Sequence, residues 1–269
     1  MGFGKLFRTR IQPLFLSHGL IVTKTVGSAD MRELISRLRP KEIDCELIRV
    51  GGDGDGGYLI PNDLEGVSLC LSPGVSDTAF FEKELAEKFF IESHLADFSV
   101  DGPPAGFFPK TFTKKFVGAA TKDDFISMDD WIKSTVTSNE ISDWILQMDI
   151  EGAEYESLLS ISNANLQKFR IIVLEVHGIQ EWGYPAHFKI VKSFFEKLLQ
   201  DFSVVHIHPN NCCGLVNISG IESPKTFEMT LFRNDRFVNS KSYASLPHSL
   251  DRPNVSTHSE IQLPWYKNQ

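Results

Sequence analysis

Residues 144–159, WILQMDIEGAEYESLL, constrain this chain more than any other stretch. The run 144–148 is short and apolar, with the length and bounding of a buried strand. Two carboxylates follow, Asp149 and Glu151; the chain breaks at Gly152, and Tyr155, Leu158 and Leu159 resume at helical spacing. A strand that ends in acids and turns at once into a helix is where open parallel sheets bind ligands, beyond the carboxyl ends of their strands. Acids in a first turn also cap free amides and suit the helix dipole, and for a lone acid capping is the better reading. The rest of the chain decides between the two.

The surrounding sequence alternates. Strands are expected at 67–71, 94–96, 115–119, 144–148, 170–174 and 202–207, with helices at 78–89, 127–137, 152–166 and 186–200. Helix 78–89 sets Phe81, Leu85 and Phe89 on one side and Glu82, Glu84 and Glu87 on the other. Ser127, with Asp130 three residues on, nearly matches a capping box. Strands alternating with helices indicate a doubly wound parallel sheet. Near the end, 215–218 and 227–232 follow as a strand pair with no helix between them. The expected class is α/β: a Rossmann-like, seven-stranded, mostly parallel sheet with helices on both faces and an antiparallel strand at one edge. Residues 1–41 carry a local excess of Lys and Arg and include a helix over 29–38 with Met31, Leu34, Ile35 and Leu38 in register; they read as a helical N-terminal extension. Residues 42–269 read as a single domain with an irregular strap at 237–269.

Two turns carry the ligand signals. Five glycines lie between Gly51 and Gly57, flanked by strand-like 47–50 and 58–60. A hairpin turn accounts for some of them. A two-residue turn does not need so many, so part of the loop is expected to approach a ligand; no Gly-Lys-Ser/Thr ending makes it a phosphate loop. The second turn, SPGVSD at 72–77, leads through a helix to a strand closing in Asp97. A strand, a glycine turn, a helix and a strand ending in an acid form a nucleotide site, the acid accepting from a ribose diol. Asp101 is a rival for that position. Gly74 stands alone where dinucleotide enzymes carry three glycines, which favours a nucleoside lacking a pyrophosphate.

The formal net charge of −8 argues against non-specific nucleic-acid binding. The cysteines are Cys45, Cys70, Cys212 and Cys213, without a CxxC pair or a disulfide-framework spacing, so a reducing, cytoplasmic setting is the simplest expectation. No run is long and apolar enough to cross a bilayer. The basic, moderately apolar residues 1–22 suit weak contact with an anionic membrane surface, or a helix packed on the domain, which is the more ordinary outcome. Asn217-Ile-Ser and Asn254-Val-Ser match a glycosylation pattern that is frequent by chance.

LQMDIEGAEYESLL resembles the signature of the FkbM methyltransferases, D-x-E-G-x-E-x-x-x-L, matched here by Asp149, Glu151, Gly152, Glu154 and Leu158. GGDGDGGYLI, SPGVSDTAFFEKELAEKF and LPHSLDRPN resemble the same family and its methyltransferase-like relatives, in the family's order, from about Arg49 to Asn254. The chain departs in its glycine-poor first turn, and its acceptor half matches no one substrate. The resemblance implies a class I methyltransferase fold, S-adenosylmethionine as cofactor, and methylation of a hydroxyl, often on a sugar or glycan. The implied partner is a small-molecule or glycan acceptor. Carried over by position, Ser72, Gly74 and Ser76 would form the turn around the methionine moiety, and Asp97 would hold the ribose. Gly118, Ala119 and Ala120 would flank the adenine, Met148 and Asp149 would close the floor near the sulfonium, and Asp55 and Gly56 would contact the methionine amine or carboxylate.

Methyl transfer to a hydroxyl needs positioning, exclusion of water and removal of a proton. Asp149 and Glu151, Glu175 and His177, and His206 and His208 all stand just past expected strand ends. His177 or His208 could act as a base oriented by a carboxylate. Alternatively Asp149, Glu175 and His177 could hold Mg²⁺ or Mn²⁺, the mixed donors favouring Mn²⁺. The expected catalytic residues are therefore Asp149, His177 and His208. The run 180–184, with Trp182 and Tyr184, suits either a sugar ring or the packing of the next helix. Other readings stay open: a protein or amine acceptor, a non-catalytic nucleotide-binding Rossmann module, or an oxidoreductase, against which the missing G-x-G-x-x-G speaks.

Overall fold

A computed structural model of the chain describes residues 11–136, 143–238 and 242–266. In chain order the elements begin with α1 (Gln12–Ser17), α2 (Ser28–Arg37), a hairpin of β1 (Leu47–Val50) and β2 (Tyr58–Pro61), β3 (Val67–Pro73), α3 (Phe80–Phe89), β4 (Glu92–Ala96) and β5 (Thr111–Thr113). A small pair, β6 (Phe116–Gly118) and β7 (Phe125–Ser127), precedes α4 (Met128–Thr135), β8 (Asp143–Met148), α5 (Glu154–Ser160), α6 (Asn163–Leu166) and β9 (Phe169–Val176). A 3-10 turn at Ile179–Gly183, α7 (Pro185–Asp201), β10 (Phe202–Pro209), a hairpin of β11 (Leu215–Ile218) and β12 (Ile221–Pro224), and β13 (Phe227–Arg233) complete the fold.

Continuous apolar runs tolerate no solvated side, so they make strands covered on both faces. β9 and β10 bury all their residues. The main sheet runs β10-β13-β9-β8-β3-β4-β5. β13 is antiparallel to both β9 and β10, and the other pairs are parallel. The antiparallel strand thus lies one position in from the edge, with β10 outside it. On one face Met31 and Leu34 of α2, Trp131 of α4, Leu158 of α5 and Phe194 of α7 pack against Leu71, Leu146 and Ile172. On the other, Phe81 and Leu85 of α3 join Val50, Tyr58 and Ile60 of the hairpin over Cys70, Ile145 and Val173.

Three expected elements differ. Residues 215–218 pair with 221–224 and not with 227–232, because Ser219 (φ 54°) and Gly220 (φ 83°) form the positive-φ turn that two-residue hairpins require. The strand expected at 115–119 leaves the main sheet: 116–118 pairs with 125–127, and the short, half-buried β5 takes its place beside β4. The helix expected over 152–166 breaks at Ile161, which is extended, and Ser162 restarts it by accepting from the Asn165 amide. The expected end of helix 127–137 lies outside the described residues. Cys212 and Cys213 are joined by a disulfide between neighbours, which closes no long loop and staples nothing.

The strap is irregular yet tethered. Asp251 accepts from His206 at 2.9 Å, Asn254 donates to Glu228 at 2.5 Å, and Tyr266 donates to the Ile35 carbonyl at 3.1 Å. Strand order reverses between β3, whose chain proceeds outward to β4 and β5, and β8, which leads to β9. That reversal opens a crevice at the strand carboxyl ends.

At the opposite end of the sheet Arg170, 3% exposed, donates to the carbonyls of Asp63 (2.8 Å) and Glu65 (2.7 Å) and pairs with the carboxylates of Asp63 and Asp143. Arg233 pairs with Asp143 at 2.6 Å. Burial opposes the Asp143 charge, but the two guanidiniums hold its pKa below the usual range. Substituting R170M strands these carboxylates and is expected to cost about 3 kcal/mol in urea unfolding. Asp143, depressed in the fold, stabilises above its unfolded pKa of about 4 and loses that contribution as pH falls, so the difference from wild type should narrow on acidification.

Candidate active site

Two turns meet at the crevice. Gly74 has φ +86°, and a Cβ there would lie 1.6 Å from the Asp149 carbonyl oxygen, so only glycine fits. Beyond β8 the chain passes Glu151 at φ +57° and Gly152 at φ +104°. A glutamate in left-handed backbone costs roughly 1 kcal/mol, and such strain concentrates where a side chain must be aimed.

Glu154, at the start of α5, is wholly buried, and one oxygen, Oε1, gathers three donors. It accepts from the amides of Ile150 (3.1 Å) and Gly152 (3.2 Å) and lies 3.0 Å from Nδ1 of His177. With Nδ1–H donated there, the His177 Nε2 lone pair faces outward. Nε2 lies 3.8 Å from Asp149 Oδ1, 3.7 Å from Glu151 Oε2 and 3.8 Å from Glu175 Oε1. Register explains the gathering: Met148 stands opposite Leu174, so Asp149 and Glu175 follow one step on, and Glu175 stands opposite Glu228, itself opposite His208. One row crosses four strand ends.

The row is electrostatically tense. Burial pushes Asp149 up to about 6, with Glu151 and Glu154 adding to the rise and His177 opposing it. Burial, then Asp149, Glu228 and Asp55, raise Glu175 well above the usual carboxylate range, although Asn210 donates to it at 2.7 Å. Burial works against charge on His177, yet Glu154, Asp149 and Glu151 raise its pKa. His208 is likewise raised, by Glu228 at 3.4 Å.

Beside this cluster lies a cavity of about 380 Å³ lined by Gly74, Ser76, Asp97, Phe116, Phe125 and Asp149. Asp97 caps the first turn: Oδ2 accepts from the Ser76 amide (2.8 Å) and Oδ1 from the Ser99 amide and hydroxyl. Oδ2 keeps a lone pair for a further donor, whereas Oδ1 already accepts two. A second cavity of about 460 Å³ is lined by Tyr155, His177, Gln180, His187, Lys225 and Thr226. Glu151 borders both cavities.

Of the residues expected at the site, Gly74, Ser76, Asp97 and Asp149 meet at the first cavity, and Asp149, Glu175 and His177 come together beside it. Met148 is fully buried behind the cavity, and so is Ser72, whose hydroxyl is spent on Glu82 (2.5 Å) and Gln147 (2.7 Å). Ser72 therefore offers no side chain to a ligand. Gly118, Ala119 and Ala120 do not line the cavity; Phe116, Val117 and Phe125 do, because the 116–118 strand peels away from the sheet. Asp55 and Gly56 lie on the β1–β2 loop, Asp55 against Asn254 at 3.2 Å, outside both cavities. His208 is held at the Glu228 end of the row. Sequence reading missed Glu154 as the holder of His177, and Asn210, Glu228 and the Phe116–Phe125 pair, ring centroids 5.5 Å apart. Only Glu154 carried a signal, inside the opening motif.

The crowded carboxyls predict a stability gain on substitution. D149N removes a desolvated acid from beside Glu175 and should raise the metal-free protein's stability at pH 7 by about 1 kcal/mol. Asp149 rises from its unfolded pKa to about 6 in the fold, so its cost is absent below about pH 4 and complete above about 6. Thermal melts of both proteins should converge in acid. G74A should destabilise sharply at every pH, since its Cβ collides with backbone.

Residues 68–202 match the methyltransferase FkbM domain. No curated protein matches the chain. Among solved structures, a fibrillarin/Nop5p complex is similar at 13% identity and a TM-score of 0.32, over 62% of this chain and 73% of that one, a likeness too shallow to carry an argument. The family match spans β3 to the start of β10, half the chain, and takes in both turns and the carboxylate–imidazole cluster they frame: the protein belongs to the FkbM methyltransferases.

Proposed function

We propose that the protein is an S-adenosylmethionine-dependent O-methyltransferase acting on a hydroxyl of a sugar, glycan or glycosylated small molecule, with a divalent cation at the carboxylate–imidazole cluster. The observation that carries this is His177: Nε2 faces oxygens of Asp149, Glu151 and Glu175 at 3.7–3.8 Å while Glu154 holds Nδ1. Donor atoms of Asp149, Glu151 and His177 lie within 4.8 Å of one another. Asp149 Oδ1 is buried without a hydrogen-bond partner, which suits a cation better than a proton relay. Carboxylates gathered this closely repel one another, a repulsion a cation would reverse. Imidazole among oxygens favours Mn²⁺ over Mg²⁺.

The methyl donor supplies a carbon already activated by positive sulfur, and a divalent ion supplies acidification of an acceptor hydroxyl. The residues of the chain then divide the work. Ser76 and Asp97 hold the donor's ribose end, and Phe116 and Phe125 enclose its base. Asp149 closes the floor between the cavities, and Glu154 aims His177. Gln180, His187 and Lys225 hydrogen-bond a hydroxylated acceptor in the second cavity. A metal-free variant of this reading, with His177 itself taking the proton, draws on its raised pKa.

Three measurements test the proposal. D97A should weaken S-adenosylmethionine binding, read by calorimetry, by tenfold or more; unchanged affinity overturns the cofactor site. Mn²⁺ titrated into wild-type protein should bind, H177A should abolish that binding, and E154Q should weaken it about 10- to 100-fold. Methyl transfer that survives exhaustive chelation sinks the metal and leaves His177 as the base.

A further inference from the structure

The N-terminal arm is built against the usual rule for surface helices. α1 buries none of its residues, and residues 13–21 are exposed throughout. Yet this stretch carries Leu14, Phe15, Leu16, Leu20 and Ile21, with Leu14 65% and Ile21 75% exposed. A run of large apolar side chains with no cover marks an interaction surface. Its charge is as unusual as its exposure. Residues 1–29 contain four basic residues, Lys5, Arg8, Arg10 and Lys24, and no Asp or Glu, in a chain of net charge −8. The rest of the protein is correspondingly more acidic than the whole.

Apolar side chains interleaved with unopposed basic ones complement a surface that is anionic outside and hydrocarbon beneath. A second copy of this acidic protein offers the charge without the hydrocarbon depth. We propose that the arm, residues 11–24, docks on an anionic phospholipid bilayer. Its root fixes the orientation. The Val26 amide donates to the Gly183 carbonyl at 3.0 Å, and Ser219 donates to Thr25 at 2.9 Å and to the Val26 carbonyl. The Gly183 anchor belongs to an element of the second cavity: the turn at Ile179–Gly183 supplies Gln180 and Glu181 to its wall. Tyr184, just after that turn, and Leu215, on β11, are exposed as well. Docking therefore brings that cavity's side of the molecule towards the lipid headgroups.

Cosedimentation of the full chain with vesicles tests this. Vesicles containing phosphatidylserine should capture the protein, phosphatidylcholine alone should not, and raised salt should weaken capture. The double substitution L16E/L20E should lower partitioning at least about tenfold. R8A and R10A should each lower it roughly fivefold. Circular dichroism should be unchanged in L16E/L20E, whose side chains make no buried contact. Equal capture by neutral vesicles, or capture indifferent to L16E/L20E, overturns the proposal. Concentration-dependent self-association that L16E/L20E abolishes, without vesicle binding, overturns it in favour of a second copy.

Discussion

The site depends on one buried carboxylate. Glu154 brings no charge to any surface, but its Oε1 draws together the two amides that shape the turn after β8 and the imidazole that ends β9. Without that oxygen the turn has unsatisfied amides, Glu151 loses its reason for a left-handed backbone, and His177 is free to rotate. An acceptor shared by three donors is worth more than a surface cap when, as here, the acceptor is itself wholly buried. Turn geometry and imidazole orientation are thus a single property of this chain.

Much of this architecture was legible in the residues. The alternation of apolar runs and amphipathic segments predicted the parallel sheet, and the acids after residue 148 marked the crevice. Helix 80–89 buries Phe81 and Leu85 as its spacing required, but Glu82, expected on the outer side, is buried against Ser72. What stayed hidden depends on pairing across long separations. Thr111–Thr113 is a strand only because β4 offers it an edge; three half-buried residues carry no period of their own. Glu228 and Asn210 look like ordinary polar residues until β13 slots between β9 and β10 and aligns Glu228 with Glu175. Ser72 sat at the right place in the turn, but its side chain follows strand alternation to the inner face, where Glu82 and Gln147 take it.

Glu154 is the instructive case. Acids at a helix start cap amides, and Glu154 does cap two. The same residue also orients His177, 23 residues on, so local and tertiary roles coincide in one side chain. A capping explanation and a functional one are not rivals when the capped turn is itself the site wall. The FkbM signature spaces its acids over one turn of chain, yet their effects reach different neighbours: Asp149 and Glu151 the cavities, Glu154 the next strand.

The placement of β13 has a consequence for how the protein comes into being. β9 and β10 are both complete by residue 209, but they do not pair; the position between them is filled only by residues 227–233. During synthesis the emerging chain holds two apolar strands with bare edges on either side of a vacant slot. Those edges invite wrong partners until the last strand arrives. The carboxylate row is finished at the same late moment, when Glu228 and then Asn254 enter it. A nascent chain therefore has a recognisable sheet before it has a site, and competence waits for residues 227–254.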